Sequence, residues 1–282
     1  MTLPPFQLHR PGTLEEATAL LDEHGDDAAL YCGGTELLLL LKLGFASFGH
    51  LVDLKQLDEL RGVRAENGTL VVGGAVTHRA LERDPLVLER LPALAAMERG
   101  VANVRVRNVG TLGGNLCFAD PHSDPATFLL ALDAEVECRR GGGSSRRIPL
   151  ADFLVGPYQT SLGPGEVLTA LRIPVPAQGS RIVHRKFRFH ERPAVTVTCV
   201  VRVENGAIAE ARIAVGSVGP RPVRAVEAEQ KLAGAPVGEP PAAAAEAAAG
   251  VADAVEDANG SVEYKENLVR VLVERALTEA LS

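Results

Sequence analysis

The first 175 residues alternate between helix-like and strand-like spacing of apolar side chains. Thr13 and Glu16 form a capping box before an apolar stripe, which predicts a helix over Thr13–His24 that ends at Gly25. Apolar runs of strand length and stripes of helical period follow it along the chain. They predict strands at Ala28–Tyr31, Leu51–Leu54, Ala134–Arg139 and Glu166–Ile173, helices at Thr35–Leu43, Thr77–Arg83, Val87–Ala96 and Pro125–Leu132, a turn at Asn67-Gly68 and a hairpin tip at Gly141–Ser145.

The pattern changes after a proline pair, Pro174 and Pro176, and we place a domain boundary near residue 175. Alternating runs on either side of Asn205-Gly206 predict a hairpin of a new sheet. A small sheet covered by helices, of the α+β class, fits this tail. The elements predicted here are a strand with one solvated face in the basic run Arg181–Arg192, the hairpin strands Ala194–Val203 and Ala207–Val215, and helices at Pro222–Leu232, Pro241–Ala258 and Tyr264–Leu281.

Composition excludes several classes of protein. Hydrophobic residues make up 46% and charged residues 23%, which is typical of globular domains, and the net charge of -7 argues against nucleic-acid binding. The leucine run Leu37–Leu41 is far shorter than the roughly 20 apolar residues of a membrane helix. The N-terminal segment has no basic region followed by an apolar one, so we expect no signal peptide. With no tryptophan and 4% aromatic residues, a ligand is expected to be held mainly by backbone.

The four cysteines contain no CxxC pair, so the chain is not expected to hold a zinc ribbon or a cysteine-ligated iron–sulfur cluster. Reduced thiols in a cytoplasmic protein are the simplest interpretation. The chain also lacks GxGxxG, GxxxxGK[ST], HExxH and GxSxG. A Rossmann dinucleotide site, a P-loop, and protease, kinase or hydrolase functions therefore have no support in the sequence.

Two Gly-Gly pairs remain as candidate chemistry, Gly33-Gly34 and Gly113-Gly114, about 80 residues apart. Glycine pairs let the backbone approach a ligand closely with its N–H groups, and the start of a helix adds partial positive charge. Two such loops could hold a diphosphate from both sides. Taken alone, a Gly-Gly pair before a helix is more often only a tight turn that binds nothing.

Two longer segments give these pairs a context: "LYCGGTELLLLLKLG" and "RNVGTLGGNLCFADPHSDPATFLLALDAEVE". With the N-terminal "TLEEA" and the tail "VEYKENLVRVLVERAL", they resemble the FAD-binding subunit of the molybdenum hydroxylases over nearly the whole chain. The resemblance implies an α+β fold: a FAD-binding fold of the vanillyl-alcohol oxidase and p-cresol methylhydroxylase type, then a C-terminal α+β domain of the carbon monoxide dehydrogenase flavoprotein type. The implied domains are residues 1–175, with subdomains of about 1–55 and 56–175, and residues 176–282.

The same resemblance implies which residues hold non-covalent FAD. The first loop would hold the diphosphate through backbone N–H groups, with the Glu36 carboxylate pointing away and capping the next helix. The second loop would supply side-chain hydrogen bonds, Asp124 would accept from the flavin or ribityl group, and the cation of Lys186 would stabilise reduced, anionic flavin. The full set is Cys32, Gly33, Gly34, Thr35, Glu36, Leu37, Val101, Thr111, Gly113, Gly114, Asn115, Asp124, Leu168 and Lys186.

Two departures from the family pattern change what is expected. Val101 stands where the xanthine dehydrogenase type has an aromatic residue beside the flavin, so stacking on that face is not expected. The inserted cysteine-bearing loop of the benzoyl-CoA reductase relative has no counterpart, so an extra cluster is not expected. His122 is interpreted as a solvated loop histidine, and Cys32 and Cys117 as small buried thiols near the cofactor. Tyr264 and Lys265 are interpreted as anchors of the last helix.

By resemblance, the predicted function is electron transfer from [2Fe-2S] clusters in a partner subunit through FAD to a final acceptor. A large subunit would carry the molybdenum cofactor and a small subunit the clusters, as a dimer of heterotrimers. The residues themselves support a chain that lacks its own metal ligands and nucleophile and so depends on partners. Two alternatives stay open: a self-contained flavin oxidoreductase of the same fold with its own organic substrate, and a non-catalytic module that has lost its flavin.

Overall fold

The computed structural model describes residues 2–141, 143–189, 192–238 and 241–282. These residues form a mixed helix-and-strand fold with three principal sheets, so the expected α+β class is confirmed. No helix among them combines the length and apolar composition needed to cross a membrane.

The N-terminal part is a parallel three-stranded sheet of order β1-β3-β2 covered by a helix. Thr13 caps that helix by accepting from the Glu16 N–H, and Leu14 and Ala17 are buried beneath it, as the capping box predicted. The elements are β1 (Gln7–His9), α1 (Leu14–His24), β2 (Ala28–Tyr31), α2 (Leu37–Leu43) and β3 (His50–Asp53).

The middle part is an antiparallel five-stranded sheet of order β4-β5-β10-β6-β7, with seven helices among its described residues. Its central strand, β10, comes last along the chain and is apolar and buried over most of its length. The strands are β4 (Val63–Glu66), β5 (Thr69–Gly73), β6 (Glu135–Arg139), β7 (Ser145–Pro149) and β10 (Val167–Pro174), with a separate small hairpin of β8 (Leu154–Gly156) and β9 (Gln159–Thr160). The helices are α3 (His78–Leu81), α4 (Pro85–Arg90), α5 (Pro92–Arg99), α6 (Val104–Val109), α7 (Leu112–Phe118), α8 (Asp124–Ala131) and α9 (Leu150–Phe153).

The C-terminal part is an antiparallel four-stranded sheet covered by helices. Residues Val195–Val201 of its second strand, β12, are all buried. Helix α12 packs against β12, and α8 of the middle part contacts β12 and β13. Val200 and Ala214 belong to the same apolar cluster as α8, which ties the two parts together. The elements are β11 (Arg181–Phe187), β12 (Val195–Glu204), β13 (Ala207–Gly216), β14 (Val223–Arg224), α10 (Val226–Leu232), α11 (Ala242–Gly250) and α12 (Val262–Leu281).

Three predicted helices were wrong in extent. The segment Val87–Ala96 lies in two helices, because Leu91 precedes a proline and adopts an extended φ of -148°. The helix predicted from Pro222 begins at Val226, because Val223 and Arg224 pair with β13 as a strand. The helix predicted over Pro241–Ala258 ends at Gly250, a residue of poor helix propensity.

Several other segments also bear on the sequence prediction. The helix predicted from Thr35 begins at Leu37. The short strand β1 and the helices α6 and α7 were not predicted. The predicted hairpin tip is bracketed by paired strands, with Gly142 outside the described residues. The basic run forms a strand to Phe187, and its residues 190–191 lie outside the described part of the chain.

Candidate functional site

The first glycine pair forms an open turn between β2 and α2. Gly34 has φ +70°, in the left-handed region, and an added Cβ would lie 2.4 Å from the Tyr31 ring. The backbone N–H groups of Gly34, Thr35 and Glu36 have no hydrogen-bond partner among the residues that the structure describes. Successive backbone N–H groups in such a turn form a concavity suited to an anion.

The first loop packs directly against the segment that precedes the second pair. An added Cβ on Gly33 would lie 2.4 Å from the Val109 carbonyl oxygen and 2.7 Å from Gly110 Cα. Burial raises the pKa of the Cys32 thiol, and the neighbouring Thr111 hydroxyl lowers it in part. The two loops, distant in sequence, therefore meet.

The second glycine pair lies inside a helix rather than in a loop before one. Thr111 is the N-cap of α7, and its hydroxyl accepts from the Gly114 N–H at 3.1 Å. Gly113 donates to the Gly74 carbonyl at 3.2 Å, and Asn115 donates to the Thr111 carbonyl at 2.9 Å. The N–H groups here are satisfied internally, so what this segment can offer a ligand is side chains.

Gly113 and Gly74 allow three backbone segments, at residues 113, 74 and 168, to pack directly on one another. An added Cβ on Gly113 would lie 2.5 Å from the Gly74 carbonyl oxygen, and one on Gly74 would lie 2.5 Å from the Leu168 carbonyl oxygen. Leu168 itself is buried in the core of the middle part, opposite Cys138 on β6. Sequence analysis missed Gly74, although a third Gly-Gly pair, Gly73-Gly74, stands in the printed sequence.

Helix α8 carries the acidic residue of the predicted set. Ser123 caps this helix and donates to Asn115 Oδ1 at 2.6 Å, which links α8 to the second glycine segment. Asp124 is buried, and its Oδ2 accepts from Lys186 Nζ at 2.5 Å. Lys186 also donates to the Gly100 carbonyl at 2.7 Å, beside buried Val101. The structure thus places Asp124, Lys186 and Val101 together.

The Asp124–Lys186 ion pair changes the charge expected at this place, because each group largely neutralises the other. Burial acts to raise the pKa of Asp124, but His184 and Lys186 outweigh it and hold the pKa below its usual value. Asp124 Oδ1 and His184 Nε2, 3.6 Å apart, are buried and have no hydrogen-bond partner among the described residues. Asp124 therefore retains an acceptor oxygen for a further donor.

Glu36 does not cap α2, as no side-chain cap hydrogen bond is formed there within the described residues. Its Oε2 lies 3.4 Å from Arg192 Nη2, and Arg192 Nη1 also pairs with Asp120. Burial raises the pKa of Glu36, which Arg192 lowers only in part. Arg192 follows β11, so the C-terminal part reaches back to the first loop. The basic run was the signal that could have identified this arginine.

A buried pair supports the backbone between the two loops. The His78 N–H donates to the Gly110 carbonyl at 3.0 Å, and His78 Nδ1 lies 2.6 Å from Glu98 Oε2. The side chain of Glu98 is completely buried. This pair joins α3 to α5 and was not identified from sequence, because its members are 20 residues apart and belong to no motif.

The remaining candidates occupy structural positions. His122 lies in a turn between Asp120 and Asp257 with 21% of its side chain exposed, so it is a partly solvated loop residue. Lys265 anchors α12 through Asp257 Oδ1 at 2.8 Å and the Val255 carbonyl at 2.7 Å. Tyr264 is 40% exposed, and its ring lies against Gly260 and stacks on Phe189 with centroids 6.4 Å apart.

Cys32 and Cys117 are free thiols in the structure. Burial raises the pKa of Cys117 to about 12, with smaller contributions from Cys138 and Cys32. A thiol in this state is protonated at neutral pH and nearly inert as a nucleophile.

Comparison with protein families divides the chain into two matches. Residues 4–176 match the family described as "FAD binding domain in molybdopterin dehydrogenase", and residues 184–280 match "CO dehydrogenase flavoprotein C-terminal domain".

Individual relatives cover nearly the whole chain. It is 35% identical to the carbon monoxide dehydrogenase medium chain of Hydrogenophaga pseudoflava, over 99% of this chain and 98% of the relative. It is 33% identical to the caffeine dehydrogenase subunit beta of Pseudomonas sp. (strain CBB1), over 98% and 94%. It is 36% identical to the putative xanthine dehydrogenase FAD-binding subunit of Escherichia coli (strain K12), over 81% and 80%.

Solved structures give the same result. The fold matches a chain of carbon monoxide dehydrogenase from Hydrogenophaga pseudoflava with a TM-score of 0.95 at 35% identity, covering 99% of this chain and 98% of that one. It matches a chain of quinoline 2-oxidoreductase from Pseudomonas putida 86 with a TM-score of 0.93 at 32% identity, covering 100% and 98%.

Proposed function

Since the chain belongs to the family of FAD-binding subunits of molybdenum hydroxylases, we propose that it is the electron-transfer subunit of such a complex. The chain is an oxidoreductase subunit whose cofactor is FAD. In the proposal, it passes electrons from [2Fe-2S] clusters of a partner subunit through FAD to a final acceptor. Bound FAD supplies the redox chemistry, and this chain supplies binding, orientation and electrostatics.

The first loop carries the proposal. Its three consecutive N–H groups without partners in the described chain fit the oxygens of a diphosphate, and Gly33 and Gly34 keep side chains out of the way. We propose that Cys32, Thr35, Glu36 and Leu37 complete this loop around the diphosphate. The Glu36 carboxylate is turned toward Arg192, which keeps its negative charge from the phosphates.

The second segment fits a different part of the cofactor. The Thr111 hydroxyl keeps a proton to donate, and the Asn115 amide nitrogen is available because its oxygen accepts from Ser123. Gly113 and Gly114 bring these two side chains close to the first loop. We propose that the segment binds through them, while its own backbone is occupied within α7.

The flavin end is proposed to lie at Asp124, Lys186, Val101 and Leu168. The unpaired Asp124 oxygen is a buried acceptor that a flavin or ribityl donor would satisfy. Because Lys186 is already paired with Asp124, we propose that a neutral pair, rather than a lone cation, faces the ring. We also propose that the FAD-binding domain covers residues 1–175, with subdomains of about 1–55 and 56–175, and that residues 176–282 form the second domain.

The relatives, which are medium chains and subunits of multi-subunit enzymes, support a proposal for the assembly. We propose partners of two kinds, a large subunit with the molybdenum cofactor and a small subunit with [2Fe-2S] clusters, arranged as a dimer of heterotrimers. We propose a cytoplasmic location, because all four cysteines are free thiols.

The test of this function follows the visible spectrum of flavin in the full chain. The chain should carry FAD, and the FAD should be reduced only when the partner subunits and the substrate of the complex are added. Reduction by an organic substrate in the isolated chain would instead identify a self-contained oxidoreductase. A chain that takes up no FAD would contradict the proposal.

A pair of variants examines the flavin end of the site. Asp124→Asn should weaken FAD binding roughly 10-fold, because the charged acceptor becomes a neutral amide oxygen and the hydrogen bond to it weakens. Asp133→Asn is the matched control, since Asp133 is 58% exposed and pairs with Arg212 and Arg224 away from these groups. Equal FAD affinity in the two variants would remove Asp124 from the site.

A further inference from the structure

Three histidines outside the cofactor site converge on one edge of the N-terminal sheet. His9 ends the edge strand β1, His24 is the last residue of α1, and His50 begins β3. Among the described residues, these three place one ring nitrogen each within 4.8 Å of the others. All three are half-buried.

The fold itself brings them together. Gln7 lies opposite His50 in the parallel pairing of β1 with β3, so His9, two residues further on, projects from the same face. Helix α1 contacts β2 and β3, and its last turn sets His24 against that face. The rings of His24 and His50 stack with centroids 3.7 Å apart, and His9 Nε2 lies 2.8 Å from His50 Nδ1.

We propose that His9, His24 and His50 form a binding site for one divalent transition-metal ion, of which zinc is the probe. Neutral imidazole nitrogens are ligands suited to zinc, copper and nickel. Two nitrogens bound to one zinc ion in a tetrahedral shell stand about 3.3 Å apart, since each bond is about 2.0–2.1 Å. The observed separations, from 2.8 Å to within 4.8 Å, bracket that value, so the three nitrogens already lie near the spacing of zinc ligands.

Rotation is needed because a metal ion lies in the plane of each imidazole that binds it. His24 and His50 are parallel to within 8°, and one of them must tilt about its Cβ–Cγ bond. A surface groove of about 410 Å³, lined by residues that include His9, Arg10 and Glu23, gives the cluster access to solvent.

A carboxylate stands in the position of an outer partner. Asp27 Oδ1 accepts from the Gly49 N–H at 2.7 Å, which fixes the group, and its Oδ2 lies 4.0 Å from His50 Nε2. With His50 Nδ1 turned toward the metal position, its Nε2–H faces Asp27. A carboxylate behind a ligating histidine orients the ring and increases its basicity. The C-terminus of α1 adds partial negative charge at His24, which favours a cation.

The ion would tie the short edge strand β1 to α1 and β3. β1 has three residues and pairs with one neighbour, so its attachment rests on few contacts. The expected consequence is a metal-dependent rise in the stability of the N-terminal sheet, independent of FAD.

Zinc binding to the full chain tests the proposal. Metal-free chain, prepared with a chelator, is titrated with Zn²⁺ in competition with a chromophoric chelator, and Co²⁺ reports the coordination by its visible spectrum. We expect one ion per chain and a rise in unfolding temperature of about 5–10 °C at zinc concentrations 100-fold above Kd.

Variants locate the site. His24→Gln and His9→Gln should each abolish stoichiometric binding, and Asp27→Asn should weaken it about 10- to 100-fold. His122→Gln is the matched control, since His122 lies between two carboxylates elsewhere in the fold and should leave zinc binding unchanged. His24 is the residue of choice if His9→Gln folds poorly, because it lies at a helix end.

FAD content, read from the same samples, should be equal in wild-type chain and in the cluster variants. Loss of zinc binding with FAD retained supports the proposal and separates it from the electron-transfer function. Zinc bound equally by wild type and His24→Gln, or not bound stoichiometrically by wild type, would overturn it and leave a hydrogen-bonded imidazole cluster.

Discussion

The two glycine pairs look alike in sequence, but in the structure they differ in backbone conformation and in whether their N–H groups have hydrogen-bond partners in the described chain. Gly34 needs glycine for its left-handed φ, and the N–H groups after it are free of partners in the described chain. Gly113 has ordinary helical geometry and needs glycine because the Gly74 backbone fills the space of its Cβ. The first pair leaves backbone N–H groups free for the proposed ligand, whereas the second uses glycine to let backbone segments approach each other closely.

The difference shows that a glycine pair in the sequence indicates a need for glycine but does not reveal the structural reason for it. A missing side chain can serve a backbone conformation, a ligand, or a close approach of another chain segment. Substitution by alanine separates the three, because its cost depends on φ and on the atoms that a Cβ would meet.

The largest expected effect is that of Gly113→Ala. The new Cβ would lie 2.5 Å from a backbone oxygen that cannot rotate away, so we expect a loss of about 3 kcal/mol in the free energy of unfolding. At about 2–4 °C per kcal/mol, thermal unfolding measures it readily. Gly114→Ala is the control, because its Cβ meets only the Thr111 hydroxyl and helix propensity offsets that contact. Equal losses for the two would contradict the stacked-backbone explanation.

Gly34→Ala should lower the free energy of unfolding less than Gly113→Ala does, but it should lower FAD affinity more. The left-handed φ costs alanine roughly 1–2 kcal/mol, and the Tyr31 ring must shift in addition. Gly44→Ala has the same strain, with φ +74°, and no atom within 4 Å of the new Cβ. FAD affinity and unfolding temperature, measured side by side, should show FAD loss for Gly34→Ala alone. If both variants keep FAD, the first loop does not hold it.

Helix α7 has a side-chain N-cap and α2 has none in the described chain, and this difference should have a smaller effect on stability. Thr111→Val keeps the shape of the side chain and removes the hydroxyl that accepts from Gly114, so we expect a loss of about 1 kcal/mol. Glu36→Gln at the start of α2 removes no cap and should leave stability at pH 5 close to that of wild type. Chemical denaturation of both variants makes the comparison, and a larger loss for Glu36→Gln would reverse it.

The smallest effect is a pH dependence at the first loop. The pKa of Glu36 is raised above 4.5 by burial, so its contribution to stability is complete below pH 4.5 and is lost as the pH rises through the folded value. Glu36→Gln should therefore match wild type near pH 4 and unfold at a slightly higher temperature at pH 7. For Glu246→Gln the sign should be opposite, because Arg270 lowers the pKa of Glu246. A flat difference across this range for Glu36→Gln would show that burial does not dominate its titration.

Sequence reasoning succeeded where the cause is local. The capping box of α1 and the hairpin turn at Asn205-Gly206 are both encoded within a few residues. The break between α4 and α5 also has a local cause and was missed, since proline at residue 92 restricts the residue before it.

What could not be predicted depends on partners distant in the chain. Two glycines disfavour a helix, yet α7 forms because Thr111 caps its N-terminus and its Gly113 packs directly on the Gly74 backbone. Asp124 and Lys186 are 62 residues apart, and nothing near either of them indicates that they pair. The family resemblance assigned both residues to the same expected site, and the structure shows that they form an ion pair.

The central position of β10 has a consequence for the order of events during synthesis. The ribosome makes β4, β5, β6 and β7 first, while the strand that joins β5 to β6 is still missing. Val167 enters the apolar cluster of the N-terminal part and Leu168 that of the middle part, so one short strand completes both. Until residue 174 has left the ribosome, the edges of β5 and β6 that pair with β10 are open to mispairing, and the five-stranded sheet is incomplete. We therefore expect the proposed cofactor site to be completed late in synthesis, because β10 packs against α7 of the second glycine segment and Lys186 follows β10 along the chain.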